Sequence, residues 1–227
     1  MLRLPIIGAA LIAAMLFVPH ATDASTSASF ALADFDSTAI GSIETDVLEM
    51  ALGATSCAVK SGAVKAPETL TVIDYSKPSS QRRLWVYDLK SKQLLFEELV
   101  AHGQGSGANM ATQFSNDDES HQTSLGLFVT ADTYVGKNGY SLRLDGLDRG
   151  VNDRARERAI VMHGAPYVSD AFVKATGRLG RSWGCPAVSE LVAKKMIDTV
   201  KGGGLVFAYY PDAGWLKTSK YLGGCRA

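Results

Sequence analysis

Ala159-Ile160-Val161-Met162-His163-Gly164 and Arg181-Ser182-Trp183-Gly184-Cys185-Pro186-Ala187-Val188 decide how this chain is read. The first is a short apolar run ending in a histidine, and it predicts a buried strand with His163 at its end. The second places a cysteine between a glycine and a proline and then returns to apolar residues. A thiol is a strong nucleophile only as thiolate, and a nearby imidazole is the usual means of making one near neutral pH. Gly184 allows close backbone approach, so the amides of Trp183, Gly184 and Cys185 are candidate donors to an oxyanion. A bland alternative stands beside this one: lone cysteines are often small buried hydrophobes, and lone histidines are often satisfied core residues. Spacing alone does not choose between them, because cysteine–histidine signatures do not transfer between families.

Around these residues the chain resembles a known family. His163-Gly164 followed by Ser182-Trp183-Gly184-Cys185 is similar to the signature of the L,D-transpeptidases, which act on bacterial cell-wall peptidoglycan. Residues 140–147 and 177–187 resemble the murein L,D-transpeptidase catalytic-domain branch, and the likeness runs from about Leu70 to Tyr210. The resemblance implies a mainly β fold with flanking helices, a β-sandwich or barrel with the nucleophile on a loop beside a core strand. It implies Cys185 as nucleophile, His163 as general base and a peptidoglycan tetrapeptide stem as donor. Terminal D-alanine would leave and the acyl group would pass to an amine. Two positions depart from the family's commoner pattern: Trp183 stands where a basic residue is usual, and Ala187 where Arg or Asn is usual. Substrate contacts made by those side chains elsewhere are not expected here.

Other candidate substrate-binding residues are Ser182, Gly164, Arg178 and Arg181, the arginines as partners for a carboxylate or for the thiolate. His102 and His121 are read as lining the cleft. No Asp or Asn adjoins His163, so a backbone carbonyl near Gly164 or Ala165 is expected to orient its ring. No metal site and no cofactor is expected. Two rival functions remain: an L,D-carboxypeptidase using water as acceptor, and a non-catalytic wall-binding module with a structural thiol.

The chain has 227 residues, enough for one well-cored domain. Its 23 basic and 23 acidic residues balance, and no block of five like charges occurs. Nucleic acid is therefore not an expected partner. At the start, Arg3 precedes an uncharged apolar run to Val18 and then Pro19 and small residues, the pattern of a signal peptide. The run falls short of the roughly 20 apolar residues that span a bilayer. Residues 1–24 are thus expected to be removed on export to the periplasm or cell envelope, leaving a protein with no stable membrane anchor, read as a monomer. Residues 25–42 read as a flexible lead-in, and 43–227 as the catalytic domain with an N-terminal helix. Three cysteines in an exported chain are an odd number. A Cys57–Cys225 pair would leave Cys185 free, although three unpaired thiols fit the sequence as well.

The apolar positions 43, 47, 50, 51, 54, 57 and 58 recur at helical spacing until Ser61-Gly62. Residues 70–75, 84–89, 94–100, 140–145 and 205–210 read as strands. Ser189 is a candidate helix N-cap, with Val192, Met196 and Val200 as the buried stripe behind it. Residues 101–107 are a glycine-rich loop with no following helix pattern, so phosphate binding is not expected there. Trp215, Leu216, Tyr221 and Leu222 predict a tail laid on the surface.

Overall fold

The structure is a computed structural model that describes residues 29–223 and Cys225. The expected signal peptide lies outside the described residues. In chain order the elements are helix α1 (Thr45–Lys60), strands β1 (Thr69–Asp74), β2 (Leu84–Asp88), β3 (Gln93–Glu98) and β4 (Val100–Ala101), then β5 (Gly126–Gly136), β6 (Gly139–Gly146) and β7 (Val161–Ala165). Helix α2 (Asp170–Thr176), strand β8 (Ala187–Ser189), helix α3 (Glu190–Val200), strand β9 (Leu205–Tyr209) and helix α4 (Ala213–Thr218) complete it.

The nine strands of the described residues form one mixed sheet, in the order β3-β2-β1-β9-β5-β6-β7-β8-β4. The two edge strands, β3 and β4, are consecutive in sequence, with only Leu99 between them. A sheet whose edges are joined by one residue has to curl until those edges meet. The result is a nearly closed, barrel-like sheet with helices on its flanks, as the mainly β expectation had it.

Burial follows the residue pattern. β1 is buried along its whole length, as a strand between layers should be. Helix α1 turns Val47, Leu48, Ala51, Leu52 and Ala54 onto the sheet. Ser189 caps α3 by accepting from the Leu191 amide, and Met196, Ile197 and Val200 face inward. A second, smaller cluster of Leu99, Ala101, Ala165, Val168, Leu179 and Ala187 fills the space under β4, β7 and β8.

Three local expectations need correction. The lead-in read as flexible is in part packed: Leu32–Asp34 and Ser37–Ala39 form 3-10 turns, and Phe35 and Ala39 are buried. Phe35 meets the Tyr87 ring edge-on at 5.7 Å, a contact between residues too far apart for any local pattern to show. The tail is not laid on the surface, because Trp215, Tyr221 and Leu222 belong to the main core. His163 stands inside β7 rather than at its end, since the strand continues through Gly164 and Ala165 to pair with β8.

The tail is fastened twice. Ser219 Oγ donates to the buried Asp148 carboxylate at 2.8 Å. Cys225 forms a disulfide with Cys57 of α1, Cα atoms 5.1 Å apart, across a sequence separation of 168. Closing so long a loop restricts the unfolded chain strongly. The Cys57→Ser/Cys225→Ser double variant is therefore expected to lose about 2–4 kcal/mol of stability. Urea unfolding followed by circular dichroism measures it, and an unchanged midpoint would refute the contribution.

Candidate active site

Strands β7 and β8 pair in parallel, with His163 opposite Ala187. Extending that register two residues back places Cys185 opposite Val161. The Val161 amide accordingly donates to Cys185 Sγ at 3.5 Å, and the thiol points at the Ala159 carbonyl at 3.7 Å. The sulfur thus lies beside β7 at Val161, two residues or roughly 7 Å of strand length back from His163. His163 Nδ1 is 2.9 Å from the Gly164 carbonyl. A carbonyl only accepts, so Nδ1 carries the proton and Nε2 keeps the basic lone pair. The orienting group is thus the backbone carbonyl expected from the sequence.

Both side chains are nearly buried, with Cys185 8% and His163 4% exposed. Burial pushes the Cys185 thiol up from its ordinary value, against the Val161 amide, the Arg158 charge and the residue's own amide. Burial likewise lowers His163, against the bond to Gly164 O. At neutral pH the resting pair is a neutral thiol and a neutral imidazole. Among the described residues the two are not hydrogen-bonded to each other.

The turn before the thiol is held by Ser182. Its hydroxyl donates to the Cys185 carbonyl at 2.6 Å and accepts from the Gly184 amide at 3.1 Å. Its own amide donates to His102 O, and its carbonyl accepts from Gln104 N. Ser182 therefore serves the turn rather than a substrate. The Gly184 amide, expected to face an oxyanion, is already engaged by that hydroxyl. Cys185's own amide, also among the expected donors, lies against its sulfur. Gly184 has φ +116°, and a Cβ there would sit 2.8 Å from Gln122 O and 3.0 Å from Ile160 Cδ1.

The remaining candidates divide. Trp183 is 66% exposed and stacks on His121, centroids 4.9 Å apart, with Lys137 Nζ 5.9 Å from the Trp183 ring. These aromatic rings border a surface groove of about 470 Å³ completed by Asp118, Glu119 and Arg158. His121 is thus a groove residue, as expected, and Gln104 Nε2 meets its Nδ1 at 3.0 Å. His102 is not in the groove. It is fully buried, and its Nδ1 lies 2.7 Å from Arg83 Nη2. Burial and then the Arg83 charge bring its pKa down to about 4. An apolar interior and an arginine donor make it a neutral structural acceptor, which its glycine-rich surroundings do not reveal. Arg181 donates to Gly107 O at 2.9 Å and Arg178 to Leu179 O at 2.7 Å, so both guanidinium groups brace loops. Gly164 faces α3, where a Cβ would meet Ala193 Cβ at 3.0 Å.

Arg158, Tyr75 and Tyr167 escaped the sequence reading, although each interacts electrostatically with Cys185. Arg158 directly precedes the histidine strand, the one local signal that pointed to it. A cavity of about 570 Å³ lies beside the disulfide and Met50, away from the Cys185 thiol.

Gly184→Ala combines a strained φ with a clash against backbone. It is expected to destabilise the protein by about 1–3 kcal/mol and to displace the thiol. Thermal melting and the iodoacetamide labelling rate of Cys185 measure the two effects. A variant with wild-type melting and labelling would show that the turn tolerates a side chain.

The L,D-transpeptidase catalytic domain model matches residues 39–209. No curated protein matches the chain. Among solved structures the chain is similar to an L,D-transpeptidase from Mycobacterium smegmatis, at 16% identity and TM-score 0.39 over 63% of this chain and 59% of that one. It is also similar to an L,D-transpeptidase (Yku) from Stackebrandtia nassauensis, at 16% identity and TM-score 0.39 over 73% of this chain and 69% of that one. A third is the helical cell shape determining protein Pgp2 from Campylobacter jejuni, at 14% identity and TM-score 0.41 over 63% and 48%. The chain thus covers 59% of the length of the Mycobacterium smegmatis structure. Because the family match extends over well more than half of the sequence, this chain belongs to the L,D-transpeptidase catalytic domain family.

Proposed function

We propose that this protein is an exported cysteine acyltransferase that forms a Cys185 acyl-enzyme on peptidoglycan tetrapeptide stems. One observation carries the reading. The free thiol of the structure lies one strand away from an imidazole whose Nδ1 proton is held by Gly164 O, leaving Nε2 as a base. In the first half-reaction Nε2 takes the thiol proton as sulfur bonds to the carbonyl carbon of the stem's third residue. The bond to the terminal D-alanine then breaks, and its nitrogen leaves with the proton from the imidazolium. In the second half-reaction an amine of another stem gives its proton to Nε2 and attacks the thioester, releasing the thiol. The Cys185 amide is the oxyanion donor we assign, with Trp183 N–H as its companion.

The neutral resting pair supports a mechanism in which the proton moves during attack rather than before it. Burial of the same thiol is also the observation that favours the second reading, a wall-binding module with an inert cysteine. We further propose residues 1–24 as the export signal and 43–227 as the catalytic unit. Export is supported by the Cys57–Cys225 disulfide, which persists in oxidising compartments. Among the described residues no helix is long and apolar enough to cross a membrane.

The test is D-alanine release from a defined tetrapeptide stem, followed against pH, with mass spectrometry of the products to separate amine from water as acceptor. Cys185→Ala is expected to keep its circular dichroism spectrum and lose release and adduct together. His163→Ala is expected to fall by about 10²–10⁴-fold near neutral pH and to recover in part where the thiol ionises unaided. In the wild type a base lowered by burial stays unprotonated to more acid pH, so the acid limb of kcat/KM is expected below His163's ordinary value of 6.5. A folded Cys185→Ala protein that releases D-alanine at the wild-type rate would remove Cys185 from the mechanism.

A further inference from the structure

Arg158 is a half-buried cation whose four hydrogen bonds all go to neutral acceptors. Nη1 donates to Ser115 O at 2.8 Å and Ser124 Oγ at 2.6 Å. Nη2 donates to Ser120 Oγ at 3.1 Å and Gln122 O at 2.8 Å. Its charge acts on Asp118 and Asp117 and, more weakly, on the Cys185 thiol.

The backbone beyond Arg158 wraps the same sulfur. Ala159 turns through φ +53°, and its carbonyl faces the thiol; Val161 then donates its amide to the sulfur. On the opposite side Gln122 O, which the guanidinium holds, stands where a Gly184 Cβ would strike. One side chain therefore joins the 115–124 segment, the turn into β7 and the turn before Cys185.

The other titratable groups around the sulfur carry little charge through the neutral range. Burial raises Tyr75, which neighbours β1, and pushes Tyr167, which follows β7, up to about 12. Burial lowers His163 on β7, and the buried His102 after β4 is uncharged near neutrality. Asp117 and Asp118 lie on the segment that Arg158 holds, and their charges act on the guanidinium. Arg181 is turned to Gly107 O, and Lys137 lies over the outer Trp183 ring.

We propose that Arg158 is a positioning residue for the nucleophile. It clamps the 115–124 segment against the Gly184 turn that precedes Cys185 and supplies the fixed positive charge against which the thiolate forms. This inference rests on the acyl-enzyme reading for its purpose, but its physical content does not require transpeptidation.

The experiment is the pH dependence of Cys185 alkylation by iodoacetamide on the full, disulfide-intact protein. Arg158→Gln is expected to move the midpoint up by about one pH unit, while Arg158→Lys, which keeps the charge, stays near wild type. A folded Arg158→Gln protein with the wild-type midpoint overturns the proposal, and so does an equal shift in both variants. If Arg158→Gln does not fold, the wild type decides. A fixed cation beside the sulfur favours anionic iodoacetate over neutral iodoacetamide, relative to free cysteine in the same alkaline buffer, where histidine is neutral. A ratio no higher than that of free cysteine sinks the idea. Because alkylation uses no stem peptide, a shifted midpoint without D-alanine release would refute the acyltransferase reading alone. Release with an unshifted midpoint would refute the role of Arg158 alone.

Discussion

The fold depends on closing the sheet between β3 and β4, and Arg83 makes that closure. Arg83 extends β2, its amide donating to Glu98 O beside it. Its guanidinium then crosses the seam to Val100 O through both Nε and Nη2, at 3.1 and 2.9 Å, and to His102 Nδ1. The remaining Nη1 donates to Lys77 O, and the Tyr75 ring lies 5.1 Å from the cation. Arg83 is fully buried, and burial brings its pKa down to about 10, so it stays charged at neutral pH. Withdrawing such a charge from water is costly, and the planar fork offsets this by satisfying several acceptors at once.

The site inherits its position from that seam. β4 pairs with β8, setting Ala101 opposite Ala187, two residues beyond the thiol. The next residues meet the turn itself: His102 O accepts from Ser182 N, and Gly103 bridges to Ser182. A Cβ on Gly103 would lie 2.9 Å from the Gly184 Cα and would strike His121 O. Two glycines from distant parts of the chain thus permit one close backbone crossing. Cys185 is fixed by sheet pairing on one side and by this crossing on the other, a rigidity that nucleophile placement requires.

Electrostatically, the interior treats the two reacting groups in opposite senses but to one end. Desolvation disfavours every charged form, so the thiol rises and the imidazole falls. The pair therefore rests uncharged, unlike cysteines held ready as thiolates by an adjacent cationic histidine. The Val161 amide leans the other way, and so does Arg158, from a loop the sequence presents as ordinary polar surface.

The mainly β fold, the helix before it and the Ser189 cap were legible because each is a local statement. Alternation, helical spacing and a capping residue all lie within a few residues of one another. His102, Arg83 and Arg158 were not legible, since the contacts that set their roles reach residues 17 or more positions away. A histidine in a glycine-rich loop reads as exposed until a closing sheet buries it against an arginine. A tail with Trp215 and Tyr221 reads as surface-laid until Ser219 and Cys225 tie it down. Sequence alone determined which residues have the chemistry to react and which segments form strands. Only the tertiary structure decided which side chains face the groove and which hold it, because burial and charge proximity arise when the sheet closes.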